Sequence, residues 1–160
     1  MPACAPLSSI VRLMQISALV AFLVTTVAAQ PSLEPPVELV RTLFQSEAAA
    51  LAKDGFVCVQ VNGVDPPPAL LKTLAGGDAR VVAGSACTKV MDVDKGSFHT
   101  STHKRAYFFD VHDFVSDSES HGEIKMTIYH HGLWAIMKAY EVSKREGAWI
   151  VLRTKEHMEA

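Results

Sequence analysis

An aspartate and a histidine two positions apart are the residues whose types and spacing most resemble a catalytic pair. Asp110 and His112 lie in the run 105–115, which is rich in aromatic and β-branched residues and typical of a β-strand. Side chains two apart in a strand share a face, so the carboxylate could orient the imidazole as a general base beside Phe108 and Phe114. An ordinary solvated pair on a sheet face is the alternative interpretation.

Clustered histidines raise the question of a metal site, since six of the seven fall within one third of the chain: His99, His103, His112, His121, His130 and His131. His130 and His131 are neighbours, which in a strand point to opposite faces, and the residues between His99 and His103 form helices poorly. The stretch 92–96 resembles a calcium loop, but its glycine comes one place early and no bidentate glutamate follows. We therefore predict no metal and no cofactor.

Aromatic residues at strand spacing offer a second kind of chemistry, the binding of a ligand. Tyr107, Tyr129 and Trp134 are the candidates for lining a cleft in a curved sheet. The alternative is that these side chains belong to the hydrophobic core against a helix, where aromatics at this spacing are commonly found.

The cysteines bear on both compartment and stability. Cys4 lies in the N-terminal apolar region, which leaves Cys58 and Cys87 as a pair with one possible connectivity. In an oxidising compartment such a pair is normally a disulfide, so we predict a Cys58–Cys87 bridge closing a loop of about 30 residues. A reactive thiol would need a cationic or helix-N-terminal setting, which neither cysteine has in the sequence.

The first 29 residues have the order of a secretory signal peptide. Arg12 precedes a mostly apolar run, and the small side chains of Val27 and Ala29 suit cleavage before Gln30. We therefore predict export to the periplasm or the cell exterior, with membrane contact only through this leader. An uncleaved membrane anchor is the alternative, because residues 13–29 approach the length that spans a bilayer.

The charge balance excludes one class of partner. The chain has 15 basic and 17 acidic residues, a formal net charge of −2, and no basic stripe. Nucleic-acid binding depends on clustered Lys and Arg that neutralise phosphates, so we predict no nucleic-acid partner.

After an extended stretch at 30–36, residues 37–160 are expected to form a single domain. Apolar residues at helical spacing predict an amphipathic helix over 37–53, which Asp54 and Gly55 end. A further short helix is expected at 69–74. Strand patterns follow at 56–61, 80–83, 87–93, 105–115, 123–129, 134–142 and 148–154.

The element order predicts an α+β fold. We expect the N-terminal amphipathic helix to pack on a curved antiparallel sheet of about four to six strands, with the last three strands forming a meander. Residues 123–129 alternate apolar and polar side chains, which indicates one solvated sheet face.

This layout resembles the cone-shaped α+β folds of the NTF2-like and cystatin-like kind, over about residues 37–154 and in element order alone. The Gly-Ala-Trp-Ile-Val stretch at 147–151 is also similar to the last strand of uncharacterised exported bacterial proteins. Neither resemblance carries a specific motif, so it implies a fold and assigns no functional residue.

The sequence therefore favours a non-enzymatic exported protein that binds a small ligand or a protein partner, with a homodimer as one arrangement. No nucleophile elbow, phosphate loop or dinucleotide fingerprint is present to indicate an enzyme. The alternative is a small hydrolase or isomerase of the cone-fold type that uses Asp110 and His112.

Overall fold

The structure is a computed structural model that describes residues 33–159. The predicted leader at 1–29 lies outside the described residues, and only 33–36 of the extended stretch are within them. Leu33 forms an isolated bridge with Phe114, donating its N–H to the Phe114 carbonyl at 3.0 Å. Within residues 33–159, no helix has the length and apolar character needed to cross a bilayer.

Residues 33–159 contain eight strands and two α-helices. The helices are α1, Val37–Leu43, and α2, Pro68–Ala75. The strands are β1 Phe56–Val61, β2 Val81–Ala83, β3 Cys87–Thr88, β4 Phe98–His99, β5 Ala106–Ser116, β6 His121–His131, β7 Trp134–Arg145 and β8 Ala148–Glu159. Six of them form one sheet in the order β2-β1-β5-β6-β7-β8, and β3 pairs with β4 separately.

The large sheet is mixed. Strands β5 to β8 form an antiparallel ladder, which confirms the predicted meander of the last three strands, but β1 runs parallel to both β2 and β5. The expectation of a wholly antiparallel sheet is therefore wrong for β1 and β2. The reason lies in the connections between these strands. The chain passes through α2 between β1 and β2, and a second long connection separates β2 from β5. Long crossover connections of this kind are what parallel strands require.

Residues 37–53 form one continuous helical segment that changes its winding. After α1, the residues Phe44–Ala48 form a π-helical turn and Ala49–Lys53 a 3₁₀ turn. One face of this segment is buried in the same core cluster as the sheet, through Leu39, Val40, Leu43, Phe44 and Ala48. Because burial of this apolar stripe stabilises the segment, it does not depend on a capping side chain at its N-terminus, where none is found.

A polar cluster also joins the helical segment to strand β7. Glu47, in the π-helical turn, binds the ammonium of Lys138 at 2.7 Å and accepts a hydrogen bond from the Tyr140 hydroxyl at 2.8 Å. Burial raises the pKa of Tyr140, and the neighbouring Glu47 carboxylate raises it further. Tyr140 therefore stays protonated and donates its hydrogen to Glu47.

The meander has one buried face, as its alternation predicts. Ile124, Met126 and Ile128 are at most 1% exposed, whereas the neighbouring Glu123 and Lys125 are exposed. On β5, Tyr107, Phe109 and Val111 belong to the same core cluster.

A β-bulge in β5 changes the side-chain alternation that the sequence suggests. The β5–β6 register shifts between His112 and Val115, and Asp113 adopts a positive φ of 53°. Phe114 therefore joins the core cluster of the helix-covered face, whereas Phe108 belongs to a cluster on the opposite face. The prediction that Phe108 and Phe114 lie on one face with His112 is wrong, because the inserted residue reverses the alternation.

The opposite face of the sheet is covered in part by residues 84–105, which we call the cover segment. Cys58, Ala106, Phe108 and Tyr129 form a second buried cluster beneath it. The predicted disulfide between Cys58 and Cys87 is present, and it attaches the cover segment to the fully buried side of β1.

Removing this bridge should destabilise the protein. We expect the double variant Cys58→Ala, Cys87→Ala to lose about 3 to 4 kcal/mol of unfolding free energy in urea titrations, because the unfolded chain regains the entropy of an open loop. The reduced wild-type protein retains both sulfurs and should lose a similar amount. A double variant within about 1 kcal/mol of the oxidised wild type would contradict this account.

Candidate functional site

Hydrogen bonds, as well as the disulfide, fix the cover segment over the sheet. Ser97, which is 1% exposed, donates its N–H to the His130 carbonyl at 2.8 Å and accepts from the Ala106 N–H at 2.9 Å. Its hydroxyl accepts from the Val90 N–H at 3.1 Å. Tyr129 donates its hydroxyl hydrogen to the Val90 carbonyl at 2.9 Å. Both ends of residues 90–97 are therefore held against β5 and β6.

A groove of about 570 Å³ lies between the cover segment and the adjoining ends of strands β5, β6 and β7. Its lining combines aromatic rings, imidazoles and charged side chains: Val93, Asp94, Lys95, Gly96, Ser97, Phe98, His103, Arg105, Tyr107, His130, His131 and Trp134. We call it the basic groove, because its lining holds two permanent cations and one carboxylate.

Aromatic rings form one wall of the basic groove. The ring centroids of Tyr107 and Trp134 are 5.4 Å apart. The His130 ring lies 5.1 Å from Tyr107 and 6.3 Å from Trp134. These contacts fix the orientation of each ring, so the wall can receive a planar ligand with little loss of side-chain freedom.

His130 presents an unprotonated nitrogen. Its Nδ1 lies 2.9 Å from the Ala106 carbonyl oxygen, which can only accept, so Nδ1 carries the hydrogen. Partial burial lowers the pKa of His130, and the charges of His131 and Arg105 add to this, while the Ala106 hydrogen bond opposes it. At neutral pH the ring is uncharged and Nε2 has a free lone pair.

Gly96 allows the cover segment to approach His130 closely. Its φ is +62°, and a Cβ at this position would lie 2.5 Å from both Cε1 and Nε2 of His130. A real Cβ cannot occupy that space. Glycine is therefore required both by the backbone conformation and by the imidazole beside it.

The charges around the basic groove leave one positive charge in excess. Lys95 and Arg105 are exposed cations of the lining, and Asp94 is its carboxylate. Within residues 33–159, the Arg105 guanidinium has no ion-pair partner, whereas Lys95 lies 3.8 Å from Asp92. Arg105 is therefore available to an anionic ligand.

Two of the three aromatic residues predicted to bind a ligand meet in this groove. Tyr107 and Trp134 are part of its wall, with Tyr107 only 6% exposed. Tyr129 lies instead in the covered cluster, where the Lys89 ammonium is 4.4 Å from its ring centroid. Tyr129 thus helps to hold the cover segment and does not line the groove.

The structure does not bring the predicted pair of Asp110 and His112 together. Asp110 accepts a hydrogen bond from the Gly63 N–H at 3.1 Å. His112 instead has Thr127 Oγ1 3.0 Å from its Nε2 and an Asp113 carboxylate oxygen 3.3 Å from its Nδ1. The carboxylate beside the imidazole is therefore Asp113, which the bulge of β5 places there.

His130 and His131 do not separate to opposite sides as adjacent strand residues would. Both line the basic groove, and their ring centroids are 5.1 Å apart. The reason is a register shift between Tyr129 and His131 in the β6–β7 ladder, which interrupts the regular alternation. The adjacent histidines His130 and His131 are the feature of the sequence that could have indicated the basic groove.

The histidines do not assemble into a metal site in the part of the chain that the structure describes. Over residues 33–159, no three side chains of His, Cys, Asp or Glu come together as metal ligands. In the stretch 92–96, the Asp92 carboxylate accepts a hydrogen bond from the Asp94 N–H at 2.9 Å, and this bond stabilises the local turn.

Comparisons of the chain with protein-family models, with curated protein sequences and with solved structures gave no match. Function must therefore be inferred from the geometry of the sites themselves.

The packing of Gly96 on His130 can be tested with a matched pair of glycine variants. Gly63 also has a positive φ, +75°, but a Cβ there would meet nothing within 4 Å. Both Gly96→Ala and Gly63→Ala should lose about 1 kcal/mol of unfolding free energy to backbone strain. Gly96→Ala should lose more than Gly63→Ala, because its Cβ must also displace the His130 ring. Only Gly96→Ala should also shift the His130 ring signals in NMR spectra. Equal stability and unchanged His130 signals would contradict the close packing.

The protonation of His130 should couple to stability. Because the pKa of His130 is lowered from 6.5 on folding, its contribution is complete above that value and is lost as pH falls below it. We expect the unfolding free energy of the wild type to fall between about pH 7 and pH 5 more steeply than that of His130→Gln. Parallel pH dependences of the two proteins would show that His130 protonates freely in the folded state.

Proposed function

We propose that this protein is an exported binding protein whose basic groove holds a small aromatic carboxylate without catalysing its conversion. The observation that carries the proposal is the combination, in one groove, of an aromatic wall with an arginine that has no ion-pair partner among residues 33–159. The aromatic wall, Arg105 and His130 each indicate one chemical group of the ligand.

The size and the aromatic wall favour a planar small molecule. A volume of about 570 Å³ lies within the range of small-molecule sites. Trp134 offers a partly exposed ring, which contact with the almost buried ring of Tyr107 holds in place, and aromatic ligands gain from stacked or edge contacts with such a ring. An extended peptide would need free sheet-edge hydrogen bonds, which the paired strands β5, β6 and β7 do not offer here.

The charges favour a single carboxylate on that ligand. Arg105 can bind a carboxylate through two parallel N–H donors, which is the strongest common arrangement for this pair. Lys95 adds a second positive charge and Asp94 offsets one, so the net charge matches a monoanion. A ligand carrying several phosphates would meet too little positive charge.

His130 favours a hydrogen-bond donor on the ligand. Its free Nε2 can only accept a hydrogen bond while Nδ1 is bound to Ala106, so it favours a ligand hydroxyl or N–H close to the aromatic ring. A hydroxylated aromatic carboxylate satisfies the ring wall, Arg105 and His130 together.

Export is supported by the predicted leader and by the disulfide. The Cys58–Cys87 bridge would not persist in a reducing cytosol, where thiols are kept reduced.

Calorimetric titration tests the proposal with para-hydroxyphenylacetate as the probe. We expect binding with a dissociation constant in the millimolar range or tighter. The corresponding amide, which lacks the negative charge, and hexanoate, which lacks the ring, should each bind about 10-fold more weakly, a loss of about 1.4 kcal/mol.

Arg105→Gln should weaken the binding of this probe by about 10-fold or more, because a charged hydrogen bond to the carboxylate is lost. Lys104→Gln is the matched control: it removes the same charge from a neighbouring exposed position outside the lining. Equal weakening by the two variants, or equal affinity for acid and amide, would contradict the proposed ligand class.

A further inference from the structure

A second group of residues, on a different part of the sheet, has the arrangement of a hydroxyl nucleophile with its base and its orienting carboxylate. Thr127 Oγ1 lies 3.0 Å from Nε2 of His112, and Asp113 Oδ2 lies 3.3 Å from Nδ1 of the same ring. Both ring nitrogens are thus engaged, one by a hydroxyl and one by a carboxylate. None of these residues lines the basic groove.

The protonation pattern of this group follows from its partners. A carboxylate can only accept, so the hydrogen of His112 is on Nδ1, facing Asp113. Nε2 then accepts the hydrogen of the Thr127 hydroxyl. A nucleophile that donates to a base, which is itself oriented by a third group, is the arrangement that activates hydroxyl groups in acyl transfer.

These residues open onto a separate apolar groove of about 250 Å³. Met137, Ala139 and Met158 contribute its apolar lining, and Lys125 and Glu156 lie among its polar residues. We call it the methionine groove. No helix of the described part of the chain covers it, because α1 and its continuation pack on the opposite face of the sheet, with the cluster of Met126 and Ile128.

We propose that Thr127, His112 and Asp113 form a second, hydrolytic site that cleaves small neutral acyl esters bound in the methionine groove. This inference does not depend on the proposed binding function, since the two grooves share no lining residue.

The reaction takes place in two balanced steps. In the first, Thr127 Oγ1 forms a bond to the acyl carbon, its hydrogen passes to His112 Nε2, and the ester C–O bond breaks. The departing alcohol takes the hydrogen from Nε2. In the second step, His112 removes a hydrogen from water, which attacks the acyl group on Thr127, and the carboxylic acid leaves as the threonine hydroxyl is restored.

The negative charge that develops on the acyl oxygen needs a stabilising group. Thr127 lies within paired strands, opposite Asp110 on one side and Met137 on the other, so the ladder engages the backbone around it. The available group is the Lys125 ammonium, which lines the same groove and lies 3.2 Å from Asp113. A cation that its ion pair with Asp113 keeps near the reacting carbonyl would stabilise this charge as an oxyanion hole does.

The groove also limits the substrate. Its small volume admits a short acyl chain against Met137 and Met158. Lys138 also lines the groove, but its charge is offset by its ion pair with Glu47 at 2.7 Å. Asp113 and Glu156 therefore carry more negative charge than Lys125 offsets, so an acyl group that bears its own carboxylate is disfavoured. Short, uncharged esters are the class that fits.

The test is turnover of para-nitrophenyl butyrate by the oxidised protein. We expect several turnovers per molecule, with a rate that falls about 100-fold or more in Thr127→Val and in His112→Gln. Thr154→Val, a control on the edge strand β8, should leave the rate unchanged. A rate no higher than that of buffer, a single stoichiometric release, or full activity of Thr127→Val would each overturn the proposal.

Asp113→Asn separates a positioning role from a structural one. Asparagine tolerates the positive φ at this position, so the bulge should be retained. We expect kcat to fall about 10-fold or more with KM little changed, because the imidazole loses its oriented tautomer and the groove keeps its shape. A change confined to KM would overturn the role given to Asp113.

Intact-mass and peptide-mapping analysis during turnover identifies the nucleophile directly. An acyl group on Thr127 in the wild type, absent from Thr127→Val, supports the mechanism. Acylation found only on lysine side chains would overturn it.

Discussion

The covalent link between Cys58 and Cys87 joins a largely buried strand to a segment with little regular structure of its own. The cover segment contains only the two-residue strands β3 and β4 and a short 3₁₀ turn, so local hydrogen bonding alone stabilises it weakly. The bridge fixes its beginning to β1, and Ser97 and the Tyr129 hydroxyl fix the region that follows. The outer wall of the basic groove therefore depends on a crosslink made at some distance from it.

Both candidate sites lie where a strand departs from regular pairing. The β5 bulge turns Asp113 toward His112, and the β6–β7 register shift places His130 and His131 in one groove. A regular ladder would have sent one member of each pair to the other face of the sheet. Bulges are known to re-aim side chains near functional sites, and here they account for both groups of residues.

The sequence predicted the features of the fold that depend on nearby residues or on residue type. The alternation of Ile124, Met126 and Ile128 predicted the buried face of β6, and the cysteine count predicted the disulfide. The parallel pairing of β1 was not predictable in this way, because it depends on crossovers that bring distant segments together. Asp113 was not predicted as the partner of His112 because a β-bulge of one residue has no recognisable pattern in the sequence.

The contribution of the bridge to the groove can be measured by hydrogen exchange of the native protein with and without a reductant. We expect reduction to speed exchange of the backbone amides within residues 84–105, including the Ser97 amide bound to His130, while β6 and β7 keep their protection. Unchanged protection of residues 84–105 after reduction would contradict the central claim, because the cover segment would then be held without its crosslink.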